Sequence, residues 1–190
     1  MNTKKKILMA LALVGCAILL VVGSVAVTMA YLTSEATVTN TFTVGNVTIT
    51  MDESKVTEYG VKDGDARANT NEYKLIPGHT YVKDPTIKVD AGSEQCYIFF
   101  TVDNGLGTDA TLNIGDKWTQ IGTTGVYYYN EVATPGNSYV TFSSFTVSGT
   151  ADVADYGDAE ITVTAYAVQA DGFADAEAAW TAAKSAFGIS

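Results

Sequence analysis

His79 is the single histidine in the 190-residue chain, so any imidazole chemistry, acid–base or zinc-binding, has to be built on it. It follows Pro77-Gly78, a turn-forming pair that favours a solvated position. No His-Glu-x-x-His spacing accompanies it, so the two-imidazole grip on zinc is missing. Spacing does not forbid a Ser-His-Asp centre, but no Gly-x-Ser-x-Gly elbow presents a nucleophile. Asp63-Gly-Asp65 offers two hard oxygen ligands. A calcium loop requires more of them and closes with Glu at its twelfth position, so the pair reads as a solvated acidic loop. Tyr127-Tyr128-Tyr129 could stack on sugars or peptides, yet consecutive strand residues point to opposite faces and at most two share a side. Core packing with a polar handle is the simpler account. Asn104-Gly105-Leu106-Gly107 and Gly122-Thr123-Thr124-Gly125 are turns without a following helix, hence not phosphate cradles. The chain is expected to carry no catalytic set, no cofactor and no metal.

Cysteine usage points the same way. Cys16 lies in an apolar run near the N-terminus, and Cys96 is the other cysteine. If the N-terminal segment is removed, one thiol remains, which can form neither an intramolecular disulfide nor a thiolate zinc site. Within Cys96-Tyr-Ile-Phe-Phe100 it reads as a small buried apolar side chain.

These residues must be positioned by elements that work outside the cytoplasm. Lys4, Lys5 and Lys6 precede an apolar run from Ile7 to Ala30, the arrangement of an export signal whose lysines stay inside. Small residues at Ala26, Thr28 and Ala30 suit cleavage before Tyr31. The run is also long enough to span a bilayer, so retention as an N-terminal anchor is the alternative ending. Leu13-Val14-Gly15-Cys16 has the letters of a lipoprotein box, but the apolar stretch after Cys16 makes it a coincidence. Tyr31 to Ser190 is then one domain. It holds 8 of the 11 basic residues against all 21 acidic ones, a net charge of −13. Phosphate binding needs clustered Lys and Arg, so nucleic acid is excluded as a partner. Membrane contact is expected only through the N-terminal segment.

The mature chain alternates apolar and polar residues with period two, is rich in Val, Ile, Thr, Tyr and Phe, and breaks at Gly, Asn, Asp and Pro. The pattern predicts strands near Thr37–Val44, Val47–Glu53, Tyr73–Ile76, Tyr81–Val89, Cys96–Asp103, Ala110–Ile114, Gly125–Glu131, Tyr139–Val147 and Ala159–Gln169. The expected fold class is all-β: a jelly-roll-like two-sheet β-sandwich with a short C-terminal helix, preceded by an N-terminal signal or transmembrane helix. Cys96, Ile98, Phe100 and Val102 form one apolar face and Tyr97 with Phe99 the other, which predicts a central strand covered on both sides. Parity changes between Val140-Phe142 and Phe145-Val147, predicting a bulge at Ser143-Ser144. It also changes at Gly45-Asn46, where a bulge and a two-residue hairpin turn fit equally. Glu53–Asn71 is read as a long exposed loop. Phe173, Ala176, Trp180, Ala183 and Phe187 recur at helical spacing, predicting a helix over 173–187, begun near Asp171 or Asp175 and docked on its own domain.

The strand nearest the mature N-terminus suggests a function. In Ala36-Thr-Val-Thr-Asn-Thr-Phe-Thr-Val44, Thr37, Thr39, Thr41 and Thr43 face one way while Val38, Phe42 and Val44 face the other. Such a strand can complete its own sheet or a neighbour's with the same backbone hydrogen bonds. Consistent head-to-tail donation gives an interface that does not close, hence a filament.

The lysine-led signal ending near Ala30-Tyr31, the strip Phe42-Thr-Val-Gly-Asn-Val-Thr-Ile-Thr-Met-Asp-Glu53 and Leu75-Ile-Pro-Gly-His-Thr-Tyr-Val-Lys-Asp-Pro-Thr-Ile-Lys-Val89 together resemble the TasA and camelysin family of Gram-positive bacteria. Ala165-Tyr-Ala-Val-Gln-Ala-Asp-Gly-Phe173 with Glu177-Ala-Ala-Trp180 is similar to a clostridial branch of that group. The resemblance implies export, processing by a SipW-type signal peptidase, and a jelly-roll subunit of biofilm-matrix fibres that passes an N-terminal strand to its neighbour. Some relatives are described as metalloproteases; with one histidine and no zinc motif, that activity is not carried over. The expectation is a secreted fibre subunit partnered by copies of itself. The alternatives are a monomeric or membrane-anchored cell-surface binding module and, third, a camelysin-like protease.

Overall fold

A computed structural model describes residues 46–189. The signal segment, the Ala30–Tyr31 bond, the strand with Val38, Phe42 and Val44, and Gly45 lie outside the described residues. Asn46 is described: its carbonyl accepts the Glu94 N–H at 3.0 Å, and with Gly45 outside, the choice between bulge and hairpin turn stays open.

In chain order the strands are β1 Ile49–Val56, β2 Lys62–Ala68, β3 Thr80–Val82, β4 Thr86–Val89, β5 Cys96–Asn104, β6 Ala110–Ile114, β7 Trp118–Gln120, β8 Val126–Tyr129, β9 Ser138–Val140, β10 Phe142–Val147 and β11 Ile161–Gln169, followed by the helix α1, Ala176–Ala183. The protein is all-β, with three antiparallel sheets ordered β2-β1-β4-β9, β3-β10-β6 and β11-β5-β8-β7. The first two sheets continue each other. Thr86 faces Val140 and Val82 faces Ser144, a single register kept across both interruptions.

The interruptions explain why the long expected strands Tyr81–Val89 and Tyr139–Val147 each appear as two. Pro85 has no N–H to give a ladder; its carbonyl instead takes both the backbone N–H and the hydroxyl of Thr141, each at 2.9 Å. Val140, expected to share an inward face with Phe142, is 48% exposed, because the kink at the fully buried Thr141 turns it outward. The bulge at Ser143-Ser144 is present. Phe142 pairs with Ile114 and Phe145 with Leu112, three residues against two, and the extra residue lets Phe142, Phe145 and Val147 all point inward and be buried.

β5 is central, between β11 and β8. Its Cys96, Ile98 and Phe100 meet Ile87, Val89 and Phe142 of the facing layer in the main core. Phe99, on the opposite face, packs under α1 with Ala176, Ala179 and Trp180. The helix starts where Asp175 accepts the Ala178 N–H at 2.8 Å, an N-cap that satisfies one of the free donors of the first turn. It is shorter than expected: the helical stretch over 173–187 resolves into α1 and a 3-10 turn, Lys184–Phe187, closed by Gly188 at φ +75°. Trp180 lies 5.0 Å from Phe99 and 5.6 Å from Tyr166 between ring centroids, so the stripe docks on the sheet as expected.

Three expectations are corrected. Glu53–Asn71 is not a loop throughout, because β2 pairs with β1 there. β2 is almost wholly exposed and lacks apolar alternation; ion pairs such as Arg67–Asp52 at 2.7 Å hold it instead. Tyr73–Ile76 is not a strand. Side chains pin it: the Tyr81 hydroxyl donates to the Lys74 carbonyl and accepts the Ile76 N–H, both at 2.7 Å, and the Tyr73 hydroxyl donates to the Val82 carbonyl. β7 falls outside every expected strand because only Trp118 of its three residues is buried.

Candidate functional site

β11 is the edge of its sheet, and its register tells which backbone groups face out. The Gly105 N–H donates to the Glu160 carbonyl and the Ala170 N–H to the Gln95 carbonyl, both on the β5 side. Ile161 pairs with Asn104 and Gln169 with Cys96 without a shift. In an antiparallel ladder alternate residues exchange both hydrogen bonds. The even-numbered residues of β11 therefore bond to β5, and Ile161, Val163, Ala165, Ala167 and Gln169 turn their N–H and C=O groups away from it. Among the described residues no strand takes them up. The side chains of the first four point into the main core, so the edge is apolar inward and hydrogen-bonding outward.

Beside this edge lies a cleft of about 810 Å³ bordered by Met51 and Glu53 of β1, Tyr73, Leu75, and Ile161 and Val163 of β11. It exists because β1 is also incompletely flanked. Ile49–Asp52 pair with β4 on one side, whereas β2 joins β1 only from Glu53 onward. Among the described residues the two layers therefore stay open between the first half of β1 and the start of β11.

A polar network braces the β1 wall. Asp84 accepts the Ser54 N–H at 2.6 Å, the Ser54 hydroxyl at 2.8 Å and Lys62 Nζ at 2.9 Å. Burial pushes the Asp84 carboxyl up, but the Lys62 and Ser54 bonds outweigh it and hold the group below the usual carboxylate range. Asp52 behaves alike, its burial outweighed by Lys88 and Arg67. A folded-state pKa below the unfolded value of about 3.9 stabilises the fold above that pH and ceases to do so as pH falls through the folded value. Unfolding free energy measured against pH is expected to drop below about 4 in the native chain and to drop less steeply in Asp84→Asn. Equal slopes would remove Asp84 from the account. Behind the network Tyr73 is half-buried, and burial, then the charges of Glu53 and Asp84, push its hydroxyl far up.

The residues that first drew chemical interest are placed apart from the cleft and from one another. His79 Nε2 lies 3.1 Å from the Tyr59 carbonyl and its ring sits edge-on to Tyr81. Asp63 and Asp65 stand on β2, exposed, and among the described residues no three His, Cys, Asp or Glu side chains are grouped to hold a metal. Tyr127 stacks on Phe100 and Tyr129 meets Trp118 and Tyr139 inside the core, while Tyr128 packs on the α1 side. Gly107, Gly122 and Gly125 take left-handed turn conformations. Cys96 is fully buried, and burial pushes its thiol up to about 11. A thiol reagent at neutral pH is expected to label it in denaturant and to leave it untouched in the folded protein; fast labelling of the folded form would contradict this burial.

The β11 edge was not legible beforehand, because alternation reports which face a side chain takes and not whether a strand has a neighbour. Among the described residues no helix is long and apolar enough to cross a membrane. Compared with protein-family models, curated proteins and solved structures, the chain matches none.

Proposed function

We propose that this chain is an exported structural subunit of extracellular, biofilm-type matrix fibres, of the TasA and camelysin kind, assembled when each copy's N-terminal strand completes the next copy's jelly-roll-like sandwich. The observation that carries the reading is the outward row of backbone groups on β11 beside an open cleft. A strand that pairs there gains a ladder of hydrogen bonds, and its alternate side chains enter the gap between the layers, where Met51, Leu75, Ile161 and Val163 stand beside the polar Glu53 and Lys83. Thr37–Val44 has the matching pattern, with Val38, Phe42 and Val44 on one face and threonines on the other. The net charge of −13 on Tyr31–Ser190 keeps such subunits soluble until they pair.

Electron microscopy of protein beginning at Tyr31 beside protein beginning at Asn46 tests the proposal. Filaments are expected from the first alone. Filaments from both would exclude N-terminal donation, and a concentration-independent monomer from the first would favour the surface-binding alternative. That alternative would use the Tyr-rich strands or the Asp63 segment: the tyrosines are packed inward, whereas Asp63 and Asp65 stay exposed on β2.

A further inference from the structure

On the cleft wall three side chains from separate segments converge. Lys83 Nζ lies 3.0 Å and 3.2 Å from the two carboxylate oxygens of Glu53. Asn71 Nδ2 donates to Glu53 Oε1 at 3.0 Å and to the Ser54 carbonyl at 2.9 Å. Asn71 Oδ1 accepts the Val56 N–H at 3.0 Å. The amine and the amide thus share one carboxylate oxygen, and the side chains of Lys83 and Glu53 are only 11% and 6% exposed. A buried ion pair needs no carboxamide between its charges and the backbone; this one has a carboxamide with its oxygen polarised and its nitrogen held against a proton carrier.

We propose that Lys83 and Asn71 condense into an intramolecular isopeptide bond, with Glu53 as the proton carrier. Glu53 takes a proton from the Lys83 ammonium, and the freed Nζ lone pair attacks Asn71 Cγ. Charge gathering on Oδ1 is met by the Val56 N–H, in the manner of an oxyanion donor. Glu53 then delivers its proton to Nδ2, the Cγ–Nδ2 bond breaks, and the surplus proton on Nζ returns to Glu53. Glu53 passes this last proton to the departing ammonia, so the net change is one new C–N bond and one released ammonium ion. Glu53 ends as it began, and no oxidant or co-reactant is consumed. Fixed placement replaces a bimolecular encounter, which is what makes an unactivated amide reactive here, and the adjoining cleft gives the ammonium ion an exit. The product would tie the coil that follows β2 to the segment that joins β3 to β4.

Mass spectrometry of the purified protein, referred to the sequence from its measured N-terminus, decides the matter without any variant. The expected mass is lighter than the sequence by one ammonia. Trypsin is expected to release a branched product joining residues 68–74 to residues 75–88, uncut at Lys83. Lys83→Arg and Glu53→Gln are expected to show the full sequence mass and no branched product. Folded native protein of full mass, or ammonia lost without the branched product, overturns the proposal. A branched product from Glu53→Gln would overturn the role given to Glu53.

Discussion

Proline at position 165 is expected to abolish filaments while leaving the domain folded. Ala165 faces Phe100 in the β5–β11 ladder, at a position whose N–H points away from β5. Proline there removes no backbone hydrogen bond among the described residues, and its fixed φ is tolerated on an edge strand. It deletes a donor from the middle of the row that an incoming strand would use and sets a bulky ring against it. The companion change Thr164→Pro removes an N–H that bonds to β5 and should destabilise the domain itself. Filament yield by electron microscopy and folding by circular dichroism separate the two. A folded Ala165→Pro protein that still polymerises would show that the β11 edge is not where subunits join.

Phe100→Ala is expected to cost about 3–5 kcal/mol of folding stability, the usual range for truncating a fully buried aromatic ring. Phe100 has no exposed surface. Its ring stacks on Tyr127 at 4.9 Å and meets Trp118 edge-on at 4.8 Å, and the Trp118 indole is anchored by donation to the Val140 carbonyl at 2.8 Å. The ring therefore joins the central strand, its sheet neighbours and the opposite layer, and close packing leaves little room for collapse into the space it vacates. Urea denaturation measures the effect as a lowered midpoint. A loss near 1 kcal/mol would mean that Trp118 and Tyr127 move in to fill the gap.

How far the sequence spoke depended on what each residue had to satisfy. The two-faced apolar pattern of Cys96–Phe100 placed β5 at the centre, because burial on both sides leaves no polar position along that run. The parity change at Ser143-Ser144 located a bulge for a similar reason: every inward side chain had to stay inward. β2 was illegible because its partners are ions and its side chains lie in water, so neither of its faces needed to be apolar. The coil at Tyr73–Ile76 has strand-like composition, yet the Tyr81 hydroxyl takes the backbone groups that a ladder would have used. The candidate site was the least readable. Edge status belongs to a strand's neighbours, and Glu53, Asn71 and Lys83 come from three segments that only the folded chain brings together.

The placement of α1 has a geometric corollary. Ala179 and Trp180 seal the outer side of the β5 sheet against Phe99, and an unsealed side would leave a greasy plane on which molecules could pile in any orientation. With that plane capped, the sheet can still be extended only along its rims, and β11 is the longer of the two, nine residues against three in β7. Contact along a rim fixes direction as well as partner, which favours a thread over a clump.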